Sequence, residues 1–178
     1  DVMVLEVAAA HLKSIGVDVV HDLPGVGGNL QDHYVARVSH RARNQETINQ
    51  LSRGPRLLRE IAKFFTAGNG ALTFGVTSAQ VFTRSAPEKA SPDLQLLFTP
   101  ASYDAGKFGV LETEPGMTVA VCPVRPDSRG TIMAQSTDPH QAPKIVPNYL
   151  SDPNDARVLL AGMRFTRSIL SQPAMAQH

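Results

Sequence analysis

Residues 22 to 34 read DLPGVGGNLQDHY: one proline, three glycines, an Asn, two Asp and a His in thirteen positions. No regular element survives such a run. Proline removes a backbone donor, and glycine accepts backbone angles that other residues resist. The stretch therefore divides the elements upstream of it from those downstream.

Upstream, residues 2–15 have helical spacing, with Val4, Leu5, Ala8, Leu12 and Ile15 on one face. Gly16 stands where a helix-terminating glycine is expected. VDVV, 17–20, reads as a short strand. Downstream, YVARVSH, 34–40, alternates as a strand does. Residues 54–67, GPRLLREIAKFFTA, form an amphipathic helix. Pro55 sits in its first turn, Leu57, Leu58, Ile61, Phe64 and Phe65 make one stripe, and GNG closes it. Strand-like segments lie at 78–83, 93–99, 117–124 and 130–135, separated by long Pro- and Gly-bearing loops. Asp152 before Pro153, with Asp155 in the first turn, starts a last helix over about 153–171. Helices segregated from four or five grouped strands predict an α+β fold with an antiparallel sheet, not alternating βαβ units.

The glycine run invites a phosphate-binding reading, which the spacing opposes. Gly25 and Gly27 fit a dinucleotide fingerprint, but Leu30 takes the place of its last glycine and a strand comes next instead of a helix. Asp32 and His33 are adjacent and point in different directions, so they do not form an acid–base dyad. Asn29, Asp32 and His33 read instead as residues that bond the backbone of a tight turn. No G-x-S-x-G elbow surrounds a serine, and Ser78 reads as an ordinary strand-entry residue. The six histidines show no metal-ligand spacing. Cys122, the one cysteine, lies in an apolar run and reads as a buried small hydrophobe. On 93–99, Gln95 and Thr99 share one strand face while Leu94, Leu96 and Phe98 form the other. A polar face of this kind can line a pocket or meet solvent. Arg125 and Arg129 flank a turn that contains Asp127.

The chain has 178 residues, 42% of them apolar, with a net charge of +1. That is enough for a core and gives no basic field for nucleic acid. No run approaches the ~18 apolar residues of a membrane span. The first residues lack a secretory leader's pattern. With a single cysteine, this points to the cytoplasm.

The stretch HLKSIGVDVVHDLPGVGGNLQDHY, 11–34, resembles the glucose–methanol–choline (GMC) flavoprotein oxidoreductases, which carry LPGVG-x-NLQDH after a helix. PDLQLLFTP, 92–100, resembles a sheet strand of that family. PDSRGTIMAQSTDPHQAPKIVPNYL and the helix after it, 126–170, resemble its SRG…DP…PNYL block. The likeness runs in order over nearly the whole chain. It implies an FAD enzyme that oxidises primary alcohols, choline among them, by hydride transfer to flavin. It also implies residues 1–34 as the edge of a flavin domain with a crossover turn, and 35–178 as a substrate-binding sheet domain of about five to six antiparallel strands flanked by helices.

The family's GxGxxG segment and its catalytic histidine have no counterpart in this chain, and the text around His178 does not match that histidine's. Where the family carries SGIGP, residues 3–8 read MVLEVA. The resemblance therefore implies a portion that is inactive alone and contributes no catalytic residue or metal ligand. Its turn residues Asn29, Asp32 and His33 would lie at the flavin-domain interface. Its expected pocket walls are Phe74, Gln95 and Phe98, with at most one of the last two because they face oppositely. The expected partners are a small alcohol, a flavin domain, and a second copy covering exposed apolar surface. The rival reading is a non-catalytic binding or structural module of the same ancestry.

Overall fold

The computed structural model describes residues 7–107 and 109–178. The chain divides into two compact units, Asp1–Tyr34 with Arg125–Arg157, and Val35–Val124 with Val158–His178.

The larger unit is built on a four-stranded sheet of β1 (Ala36–Arg41), β2 (Ala79–Thr83), β3 (Leu94–Thr99) and β4 (Gly116–Pro123). Its order is β1-β4-β3-β2 and every pair is antiparallel. The register puts Val38, Leu96, Val119 and Val121 on one face with Leu94, and this face packs against Val158 and Leu159. These two residues sit on the helix Pro153–Leu170. Leu94 and Val121 are 1% and 0% exposed, each worth about 1.5–3 kcal/mol of burial. Gly162 of the same helix is buried over this face: a Cβ there would lie 2.5 Å from Val121 Cγ1. Its lack of a side chain sets how closely helix and sheet approach.

Two helices precede β2: α2 (Ile48–Leu51) and α3 (Gly54–Ala67). The sequence expects α3 with the same bounds, and Gly68 closes it in the left-handed conformation, donating to Phe64 O at 3.1 Å. Its orientation differs from what the apolar stripe suggests. Leu58 and Phe65 are 68% and 80% exposed, while Glu60 is buried at 2%. The Glu60 carboxylate accepts the Ala71 N–H at 2.8 Å and Lys63 Nζ at 2.7 Å, so a polar contact with the next loop decides which side turns inward.

In α2, Asn49 is wholly buried yet fully engaged. It donates to Ser102 O at 2.8 Å and Glu112 O at 3.1 Å, and accepts from Ser102 N at 2.9 Å. It ties residues 47–51 to the 100–112 loop.

The smaller unit holds α1 (Val7–Ser14), the glycine turn, and a hairpin of β5 (Thr131–Met133) and β6 (Lys144–Val146). The helix expected over 2–15 is present from Val7, and its earlier residues lie outside the described residues. After it, Gly16 takes φ +80°, Gly16 N donates to Lys13 O and Val17 N to Leu12 O. This paired reversal is how left-handed glycines terminate helices. The expected strand at 17–20 does not form; Val20 is 99% exposed and no ladder partner runs beside it among the described residues. The fold is α+β and antiparallel as expected, but the six strands among the described residues divide four and two. The proline- and glycine-bearing stretch 125–130 interrupts the chain between β4 and β5, and β5 pairs instead with β6, whose three residues show too little alternation to be read from sequence. The final helices are α4 (Pro153–Leu170) and the short α5 (Pro173–Ala176).

Candidate functional site

The glycine turn spends its backbone groups on its own unit. Val26 N donates to Leu23 O, Gly28 N to Gly25 O at 3.0 Å, and Leu30 N to Gly130 O at 2.9 Å. In return Gly130 N reaches Leu30 O and Ile132 N reaches Gly27 O, both at 2.8 Å. Gly27 takes φ +75°, and a Cβ on it would lie 2.6 Å from Ile132 O. The glycines are there because a second backbone segment approaches closely.

Asn29 adopts φ +56°, a conformation asparagine tolerates better than most side chains. Asp32 Oδ1 accepts the His33 N–H at 2.9 Å, and Asp32 Oδ2 accepts the Tyr149 hydroxyl. The tyrosine's bond, with help from the His33 backbone, holds the Asp32 carboxyl below its usual range; the same bond raises the Tyr149 phenol. The Tyr34 and Tyr149 rings meet edge-on at 5.5 Å. The Gln31 amide, turned with its oxygen toward Arg129, accepts from both guanidinium nitrogens at 3.0 and 2.6 Å. Asn148 Nδ2 donates to Arg129 O at 3.1 Å. The residues 29–34 thus lock onto Arg129 and the 148–149 turn. Sequence spacing missed Gln31, Arg129 and Tyr149 as a set, because the two halves lie about a hundred residues apart in the chain.

The pocket candidates fall in different places in the larger unit. Gln95 shares a face with Gln80, whose Oε1 accepts its Nε2–H at 3.1 Å. Phe98 lies on the opposite, helix-covered face and lines a cavity of about 280 Å³. Phe74 is 64% exposed and lines a separate cleft of about 500 Å³ with Leu51, Arg59, Glu60 and Lys63. Lys63, Ala71 N–H and Arg59 bring the Glu60 carboxyl down to about 2. The structure does not bring Phe74, Gln95 and Phe98 together. Cys122 is fully buried, and burial pushes its thiol up, away from nucleophilic use. Among the described residues no group of three His, Cys, Asp or Glu could hold a metal, and no helix is long and apolar enough to cross a membrane.

The segment bonded to the glycine turn also carries the family's mark. A family model described as GMC oxidoreductase matches residues 126–178. An alcohol dehydrogenase [acceptor] of Pseudomonas putida is 39% identical over 172 residues, 96% of this chain and 31% of that protein. The chain belongs to the GMC oxidoreductase family. An oxygen-dependent choline dehydrogenase of Acinetobacter baumannii is 34% identical over 164 residues, 92% of this chain and 30% of its own length. The GMC chain therefore spans about a third of the length of these relatives. Its fold matches that of a variant formate oxidase from Aspergillus oryzae, solved in a study of FAD modification, with a TM-score of 0.80 at 21% identity over 97% of this chain and 37% of that one.

Proposed function

We propose that this chain is the substrate-side portion of an FAD-dependent oxidoreductase acting on CH–OH groups, a primary or choline-like alcohol being the substrate. The observation that carries the reading is the similarity to alcohol and choline dehydrogenases over more than nine-tenths of the chain. The N–H groups of Val26, Gly28 and Leu30 are spent within the turn and on Gly130 O, so these three are not free for the phosphates of FAD. A phosphate held here would need free, convergent donors. The residues of this chain would instead wall the alcohol site, through the Gln80–Gln95 face or the cleft at Phe74. Binding of the flavin and the proton-accepting base would come from elsewhere in the complete enzyme.

A flavin absorbance and fluorescence titration of the 178-residue chain, then an alcohol-oxidation assay with added FAD, tests this. The expected result is no saturable binding and no turnover. Turnover by the chain with FAD alone would overturn the reading. In the complete enzyme, Gln95→Leu and Phe74→Ala are then expected to raise KM for the alcohol while FAD content is unchanged. Unchanged KM in both would remove these residues from the alcohol site.

A further inference from the structure

The four-stranded sheet ends in two edges that differ in charge. An edge strand bonds a neighbour on one side and leaves its other row of backbone groups open to a further strand; charge, proline or a bulge ordinarily discourages that. Among the described residues β1 bonds only β4, and it carries Arg37, His40 and Arg41. β2 bonds only β3 among them, and its sequence, AQVFT, holds no charge, proline or glycine. Val81 is 44% exposed and Phe82 58%. Phe74 and Val76, just upstream, are also exposed, so the bare edge continues into an apolar surface. Ala79 and Val81 line the apolar groove of about 280 Å³ whose other wall holds Ile169, Leu170 and Met175.

The occupant follows from the strand's own symmetry. Antiparallel pairing of β2 with itself about Val81 sets Val81 opposite the partner's Val81, Gln80 opposite the partner's Phe82, and Ala79 opposite the partner's Thr83. None of these pairs brings charge into the ladder. One step out, Arg84 falls opposite the partner's Ser78, so the two arginines stand at opposite ends. The same operation on β1 about Ser39 would set Arg37 against the partner's Arg41, and like charges directly opposed are destabilising. We propose that β2 pairs with β2 of a second copy in this register, a two-fold dimer in which the two sheets become one. The partner's Val81 then joins the rim of the apolar groove, and the partner's Phe82 extends the face that carries Gln80 and Gln95. Five residues a side make a small contact, so the dimer is weak and its population rises with concentration. The proposal does not rest on the FAD reading, so either can fail alone.

The test is sedimentation velocity of the 178-residue chain over a concentration series, with cysteine cross-linking to read the register. A monomer–dimer equilibrium is expected. Val81→Lys opposes two ammonium groups at the two-fold axis and is expected to leave a monomer with unchanged far-UV circular dichroism. Val81→Cys is expected to oxidise to a disulfide-linked dimer, because directly opposed Cβ atoms lie within reach of a disulfide. Thr83→Cys is expected not to link, since its two copies would stand about 13 Å apart along the ladder. Cys122 is fully buried and gives no background. Four results would overturn the proposal: a monomer at every concentration, a dimer that survives Val81→Lys, Thr83→Cys linking as fast as Val81→Cys, or growth past the dimer, which would put β1 of the next copy on this edge. Val81→Cys is expected to link in the complete enzyme too; its failure there would give the edge to a strand of the same polypeptide and overturn the proposal as well. The parent sedimentation decides even where a variant does not fold.

Discussion

Among single residues, two buried polar side chains do what their type alone does not announce. Asn49 has no exposure and answers three backbone groups of the 100–112 loop. Asn49→Ala removes those bonds and strands buried partners, so it is expected to cost about 2–4 kcal/mol, checked by urea unfolding. Glu60 has its carboxyl lowered from 4.5 to about 2, chiefly by Lys63. A carboxyl whose folded value lies below its unfolded one stabilises above the unfolded value and loses that effect as pH falls through the folded one. Stability from Glu60 is therefore present above about pH 4.5 and fades toward about pH 2. Glu60→Gln is expected to flatten the fall in the urea midpoint across that window. An unchanged pH profile would mean that the carboxylate does not hold the 70–71 loop in solution.

Among the elements, α4 shows how two opposed effects are weighed. Gly162→Ala gains about 1 kcal/mol of helix propensity. The added Cβ would sit 2.5 Å from Val121 Cγ1 and 2.9 Å from a Leu94 methyl. Both neighbours are themselves buried in the core, and overpacking of this kind costs about 1–3 kcal/mol. A net loss of up to about 2 kcal/mol is expected in thermal unfolding, where α4 loses its fit on the sheet. The hairpin β5–β6 carries a parallel constraint at Gly130, where a Cβ would lie 2.2 Å from Val146 O. Gly130→Ala is expected to be destabilised by at least about 2 kcal/mol, because backbone cannot rotate away as a side chain can; a midpoint unchanged in the same assay would contradict it.

For the chain taken together, its own text settled much of the architecture. Periodicity placed α3 and the bodies of β1 to β4 and α4, since each is long enough to show its repeat. Gly16 and Gly68 ended helices as expected, because a left-handed terminus favours a residue without Cβ. The ordered LPGVGGNLQDH, PDLQ and PNYL text carried the family, since such strings mark a shared ancestor that periodicity cannot reveal. Short elements escaped: α2, α5 and β6 span three or four residues, too few for a period. Contacts across long separations belong to the folded chain alone. Asp32 with Tyr149, Gln31 with Arg129 and the inward turn of Glu60 all depend on which distant atom a side chain meets, and local spacing does not encode that meeting. The Gly-rich stretch that first constrained the fold shows both sides. Its composition demanded a break in regular structure, but only the close approach of the 130–132 backbone explains why its glycines stand where they do.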